Sequence, residues 1–209
     1  MSEDGQLLLA YARRGDVRSL SALVERTAKW LKGFLRGLTP SDADAEDAFQ
    51  DTWMRVIRSC GSYRGGSVRA YLATIARSVV IDRFRRSGRP TVSIDVKDES
   101  GAAAVDALAD ESPSPDVVFE KTVTAEDVRR AVRALPSGQR DVVLMRIEGE
   151  IPFKEIAETL GIPLGTALTW MHAATDRLKR VFTPLRCFVK NRVIVRGLFA
   201  CPAGRRFSA

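Results

Sequence analysis

The chain has 209 residues, 45% of them apolar, and 33 basic against 26 acidic side chains give a formal charge of +7 and a pI near 9.7. That length supports one large core or two small ones, and the cationic excess favours an anionic partner with an extended surface, of which nucleic acid is the commonest. Cys60, Cys187 and Cys201 have no paired spacing and His172 is the single histidine, which excludes an ordinary zinc site. No Ser-His-Asp, Cys-His or paired-carboxylate constellation can be assembled, so no catalysis, cofactor, metal or small-molecule substrate is expected. No apolar run reaches the roughly 18 residues of a membrane span. Ser2-Glu3-Asp4 is an acidic start rather than a basic lead into an apolar segment, so the expected compartment is a reducing cytoplasm, without direct membrane insertion.

Charge divides the chain. Residues 1–87 carry a net +5, residues 88–120 a net −6 and residues 121–209 a net +8. The middle stretch is also rich in the Gly, Ser, Pro and Asp that disfavour a packed core. The expected organisation is a domain over 1–87, an acidic linker over 88–121, a second domain over 122–182 and a basic, partly apolar tail over 183–209.

In the first domain, Asp16 is an N-cap candidate for a helix whose apolar residues Val17, Leu20, Leu23, Val24, Trp30, Leu31 and Phe34 recur at threes and fours. Gly37 lies near its end, and Thr39-Pro40-Ser41 breaks the chain. From about Asp42 to Ser59 the pattern predicts a helix that buries Ala45, Phe49, Thr52, Trp53 and Val56. Asp47, Gln50, Asp51, Met54 and Arg58 fall on another face. Gly61, Gly65 and Gly66 mark a loop. The next helix, about Val68 to Arg86, packs Leu72, Ile75, Ala76 and Val79 and leaves Arg69, Arg77, Arg83, Arg85 and Arg86 outside.

The second domain opens on Thr124-Ala125-Glu126-Asp127, an acidic first turn that suits the positive end of a helix running to about Leu135. Pro136-Ser137 precedes a helix with Val142, Val143, Met145 and Ile147, closed near Gly149. In IPFKEIAETLGIPLGTALTWMHAATDRLKRVF a short helix from Pro152 to Leu160 is followed by Gly161 and a longer helix from near Pro163. Helix-turn-helix geometry needs a small residue where the helices cross, here Ala157, and a residue tolerant of positive φ four places later, here Gly161. Ala167, Met171, Ala174, Leu178 and Val181 would seat the second helix on the first. These residues alone leave both a DNA-binding unit and an ordinary helical hairpin open. The predicted fold class is all-α, two small helical domains joined by an acidic linker, the C-terminal one with a helix-turn-helix.

The segment DAEDAFQDTWMRVIRSCGSYRGGSVRAYLATIARSVVIDRFRR, Asp44 to Arg86, resembles the core-binding and −10-binding region of RNA polymerase sigma factors, and Arg133 to Phe182 resembles their −35-binding domain. The two motifs occur in order with no long domain between them, which is similar to the extracytoplasmic-function group. The resemblance implies a non-enzymatic chain that binds the β′ and β subunits of core RNA polymerase and promoter DNA, with an anti-sigma factor as a candidate inhibitor. It carries Asp47, Gln50 and Asp51 onto the face docked on polymerase. It carries Tyr63, Arg64, Arg69 and Tyr71 onto the loop and helix start that hold the unpaired −10 strand, where rings stack on bases and guanidinium groups hold phosphates. Arg77, Arg83, Arg85 and Arg86 continue that helix. Tyr71 keeps a second reading as a core residue, and Asp82 one as an internal ion-pair partner. Val68 stands where the family commonly has an aromatic.

For the −35 element the resemblance points to Arg140, Thr166, Thr169, Trp170, His172, Arg177 and Lys179. The stretch Ala167 to Ala173 lacks the cations usual there, which removes the arginine–guanine contact and leaves phosphate contacts that carry little sequence information. Leu168 or Trp170 could meet a thymine methyl. Both are expected outside the buried stripe, where apolar side chains of that size invite a partner. Pro152 and Pro163 replace the usual hydroxyl caps, forgoing roughly 1 kcal/mol each. The acidic linker is expected to suit basic polymerase channels. Two rival readings remain: a helix-turn-helix regulator that never touches polymerase, and a sigma-like protein-interaction module.

Overall fold

The computed structural model describes residues 2–86 and 123–182; the acidic linker and the basic tail, with Cys187 and Cys201, lie outside the described residues. The described residues form α1 (Glu3–Arg14), α2 (Val17–Leu38), α3 (Asp42–Ser59), a 3-10 turn (Cys60–Ser62), α4 (Val68–Arg86), α5 (Ala125–Arg133), α6 (Ser137–Ile147), α7 (Phe153–Leu160) and α8 (Leu164–Phe182). The all-α expectation holds, and among the described residues there is no strand.

Local chemistry sets most boundaries. Asp16 caps α2 by accepting from the Arg18 N–H, Ser41 caps α3 through Asp44, and Thr124 and Asp127 form a reciprocal capping box on α5. Helix α1, which the apolar pattern leaves unassigned, is bracketed by a Ser2 cap and by Gly15 at φ 65°. Gly161, at φ 67°, ends α7, and the Ile162 N–H reaches the Ala157 carbonyl at 3.0 Å, turning the chain into α8.

In the first domain Leu8 of α1, Leu23, Leu31, Phe34 and Leu35 of α2, Ala48 and Val56 of α3 and Leu72, Ala73 and Ala76 of α4 are fully enclosed. Thr27 and Thr52 join this core because their hydroxyls donate to the Leu23 and Ala48 carbonyls one turn back. In the second domain Val142, Met145, Ile151, Ile156, Ala167, Ala174 and Leu178 form the centre, with Ala157 at the crossing. Val181, expected in that stripe, is 54% exposed, while its neighbour Phe182 packs on the core in its place.

The two domains pack directly on each other. On α2, a side chain at Gly37 would fall under 3.0 Å from Leu144 of α6, and one at Gly33 would meet the Glu148 carboxylate, so both glycines permit a close helix approach. Arg133 at the end of α5 donates to the Arg36 and Thr39 carbonyls at 3.4 Å. Arg77 of α4 donates to Asp141 of α6 at 2.6 Å, and Arg69 bonds the Gly149 carbonyl at 2.9 Å and the Glu150 carboxylate at 2.7 Å. Glu150 takes φ 51°, an uncommon backbone conformation for a residue with a side chain.

Candidate functional site

Three surfaces carry the residues singled out above. On α3, Asp47 and Gln50 are exposed and Asp51 half-buried, with Met54 (51% exposed), Ile57 (37%) and Arg58 continuing the face. The expected exposure of this face is met. Arg83 reaches over from α4 and donates to Asp51 at 2.6 Å and to Asp47 at 2.9 Å, and the Asp51 bond in particular holds its guanidinium pKa above the usual value. Arg83, expected with the −10 group, is therefore bonded to the α3 acids instead. Asp82 takes its ion-pair reading, 2.8 Å from Arg55, which also donates to Ser78. Beside this cluster a groove of about 390 Å³ is lined by Thr39, Pro40, Asp44, Val80, Arg83, Phe84 and Arg86.

The second surface surrounds the start of α4. Tyr63 is 5% exposed and donates its hydroxyl to the Gly66 carbonyl at 2.8 Å, and burial pushes its phenol upward. Its ring lies 5.3 Å from that of Tyr71, whose hydroxyl shares a 2.9 Å hydrogen bond with Ser59. The expectation of Tyr63 as an exposed stacking ring is corrected here: it is the floor of the loop, and Tyr71 is the half-buried wall. Arg64 is exposed and donates to the Gly61 carbonyl within its own loop. Arg69 and Arg77 are the two arginines drawn across to the second domain; Arg69 also lies 6.0 Å from the Trp30 ring. Arg85 and Arg86 remain exposed at the far end of α4.

The third surface is α8 and its support. Arg140 is half-buried, donates to the Arg133 carbonyl at 3.1 Å, and burial lowers its guanidinium pKa. Its expected phosphate contact is therefore corrected, since the guanidinium is turned inward. Trp170 is also corrected: it is half-buried and packed on the core, and its ring lies so close to Gly138 that a side chain there would clash under 3.0 Å. Thr166 is half-buried, whereas Thr169, His172, Arg177 and Lys179 are exposed, with Lys179 at 3.7 Å from Asp176. Leu168 is 40% exposed as expected, and Leu164, which the pattern did not single out, is 47% exposed one turn earlier.

Sequence reasoning also missed Asp141 and Glu150, which hold Arg77 and Arg69. Asp141 is 3% exposed, and burial raises its carboxyl pKa against the lowering pull of Arg77. A signal was present, since one acid opening the run Val142-Val143-Leu144-Met145 sits where a helix has only core-facing neighbours.

Comparison with known proteins fits this geometry. The Sigma-70 region 2 family matches residues 23–90 and the Sigma-70 region 4 family residues 125–178. Two helical domains matched in that order define the promoter-recognition subunits of bacterial RNA polymerase. RNA polymerase sigma factor YlaC of Bacillus subtilis is 30% identical over 143 residues, covering 68% of this chain and 79% of its own. ECF RNA polymerase sigma factor SigE of Mycolicibacterium smegmatis is 32% identical over 143 residues; the chain spans 53% of its length. The chain belongs to the extracytoplasmic-function sigma factors of RNA polymerase. Two solved structures share the fold. CnrH, in complex with the cytosolic domain of CnrY, has a TM-score of 0.61 at 21% identity, over 87% of this chain and 99% of that one. RpoE of Bartonella quintana, in complex with the anti-sigma factor NepR, has a TM-score of 0.60 at 22% identity, over 79% and 98%.

Proposed function

We propose that this chain docks on core RNA polymerase through the α3 face of Asp47, Gln50 and Asp51, and that it directs promoter-specific initiation in the cytoplasm without catalysing a reaction itself. The observation that carries the docking assignment is one continuous face that joins these acids and amide to exposed Met54 and Ile57, beside the arginine-rich α4. An interface core of this kind combines desolvated apolar contact with a charged rim. Residues 1–87 serve polymerase and the −10 element, and residues 122–182 serve the −35 element. Within the first, Arg64, Arg69, Arg77, Arg85 and Arg86 hold the phosphates of the opened strand.

Arg69 and Arg77 meet that strand only after exchanging Glu150 and Asp141 for phosphates, so promoter engagement requires α4 to part from α6 and α7. An anti-sigma factor is the expected inhibitor, a reading supported by the complexes in which CnrH and RpoE are found. No described helix is long and apolar enough to cross a membrane.

The test is run-off transcription from reconstituted holoenzyme, paired with core-binding titrations. Promoter-dependent transcripts are expected, with weaker core binding by Asp47→Arg and Asp51→Arg at unchanged fold. Promoter DNA binding without any core affinity would overturn the proposal in favour of a free-standing regulator.

A further inference from the structure

Leu164 and Leu168 lie one turn apart on α8, 47% and 40% exposed, and His172 continues the same line one turn further. The adjoining stripe of the same helix faces the core, with Ala167, Ala174 and Leu178 buried and Trp170 turned onto Gly138. Helix α8 follows the Gly161 turn, in the place where a helix-turn-helix puts the helix that enters the major groove with its N-terminal residues toward the base edges. Its first cation is Arg177, beyond that region, so the bidentate reading of guanine is not available from the part of the helix nearest the bases. Exposed Lys154 on α7 and Arg177 and Arg180 late on α8 supply charge for the phosphates on either side. In the major groove the group that complements an aliphatic side chain is the C5-methyl of thymine.

We infer that Leu164 and Leu168 read thymine through its C5-methyl group, so that the upstream promoter element bound by this domain is specified by thymine methyls. The inference rests on the sigma-factor reading and names the bases that the second domain selects. The two leucines are about 6 Å apart along the helix axis, and base pairs rise about 3.4 Å, so the two thymines fall within two or three base pairs of each other. Removing one methyl from such a contact changes affinity by about fourfold.

The experiment uses holoenzyme reconstituted from the full chain and core polymerase. Promoters are first selected from a library randomised upstream of a fixed −10 element, and each enriched thymine is then replaced by deoxyuridine, which deletes the methyl and nothing else. The expected result is about a fourfold loss of affinity per methyl in the parent. Leu168→Ala should lose the same factor on the thymine promoter and no longer distinguish thymine from deoxyuridine at one position, with Leu164→Ala doing so at the other. Melting curves of both variants should match the parent, since exposed side chains contribute little to the fold. Equal affinity of the parent for thymine and deoxyuridine promoters overturns the inference while leaving the sigma assignment standing. Discrimination that survives in both variants, with loss of polymerase or inhibitor binding, overturns it in favour of a protein partner on the leucines. Absence of any promoter-dependent transcript overturns the sigma reading itself and this inference with it.

Discussion

Helices α4 and α8 are the two elements assigned to DNA, and they start from opposite conditions. On α4 the sequence supplies Arg69, Arg77, Arg83, Arg85 and Arg86, yet Arg69, Arg77 and Arg83 are each already bonded to carboxylates. On α8 there is no cation before Arg177, yet Leu164, Leu168, Thr169 and His172 stand open to a partner. Cation density along a sequence therefore measures how much charge is present, not how much is available. An arginine bonded to a buried acid must lose that bond before it can hold a phosphate, and the cost falls on the opening of the two domains. An uncharged face carries no such cost, and gains selectivity from shape and methyl contact rather than from field strength.

The sharpest break of this comparison is Arg77→Ala. It leaves Asp141, at 3% exposure, without its ion-pair partner in a site where burial already disfavours the carboxylate. Removing one member of a fully buried pair costs about 3–5 kcal/mol, and because the Arg77 side chain is 32% exposed a loss of about 2 kcal/mol is expected. Denaturant unfolding measures it, and scattering should show a larger radius as the domains part. A loss below about 0.5 kcal/mol, the ordinary surface value, would mean that Arg77 is as available as Arg85 and that the contrast with α8 does not hold.

The α8 side of the contrast is tested by Gly138→Ala, which places a methyl group against the Trp170 ring at less than 3.0 Å. Overpacking of this kind costs about 1–3 kcal/mol. The variant should also weaken upstream-element selectivity, because α8 can accept the methyl only by rotating or shifting. Unchanged stability and selectivity would show that Trp170 moves aside and that the leucine face is not held by the core. A smaller stability effect is expected of Asp51→Arg, about 0.5 kcal/mol or less beyond the surface bond to Arg83, while core-polymerase affinity falls by tenfold or more. Equal affinity would remove α3 as the docking face.

Much of the fold was legible in the sequence because its signals are local. The limits of α3 and α4 follow from the Thr39-Pro40-Ser41 break, the glycine loop and an apolar spacing of threes and fours, and the helix-turn-helix follows from Ala157 and Gly161. The bonding state of the site was not legible, because Arg77 finds Asp141 at a separation of 64 residues and Arg69 finds Glu150 at 81. Helical periodicity says that an arginine points outward; it does not say which element lies outside. Tyr63 and Trp170 failed for a related reason. Each is large enough to fold back over a neighbouring glycine-containing segment, Gly66 and Gly138, and no spacing rule distinguishes that from an exposed ring.

The smallest expected effect concerns an acid in the interface that, unlike Asp141 and Glu150, faces a glycine. Glu148, at the end of α6, directs its carboxylate at Gly33 of α2; burial raises its pKa above the ordinary 4.5, and the fields of Arg36 and Lys29 only partly oppose this. An acid with a raised pKa binds more protons in the folded state than in the unfolded one over the interval between the two values. The stability it contributes is fully present below the ordinary glutamate value and is lost as pH rises through the folded value. Glu148→Gln has no proton to lose, so relative to the parent it should gain stability as pH rises from about 4 towards neutrality, and the gain should then level off. Thermal midpoints of the two proteins at fixed ionic strength, taken across that range, measure the difference. The gain should shrink in a background carrying Arg77→Ala, because domains already parted leave Glu148 in water. A pH-independent difference, or one that falls as pH rises, would mean that Arg36 and Lys29 fully offset the burial of this carboxylate, and that α2 and α6 meet without an electrostatic penalty.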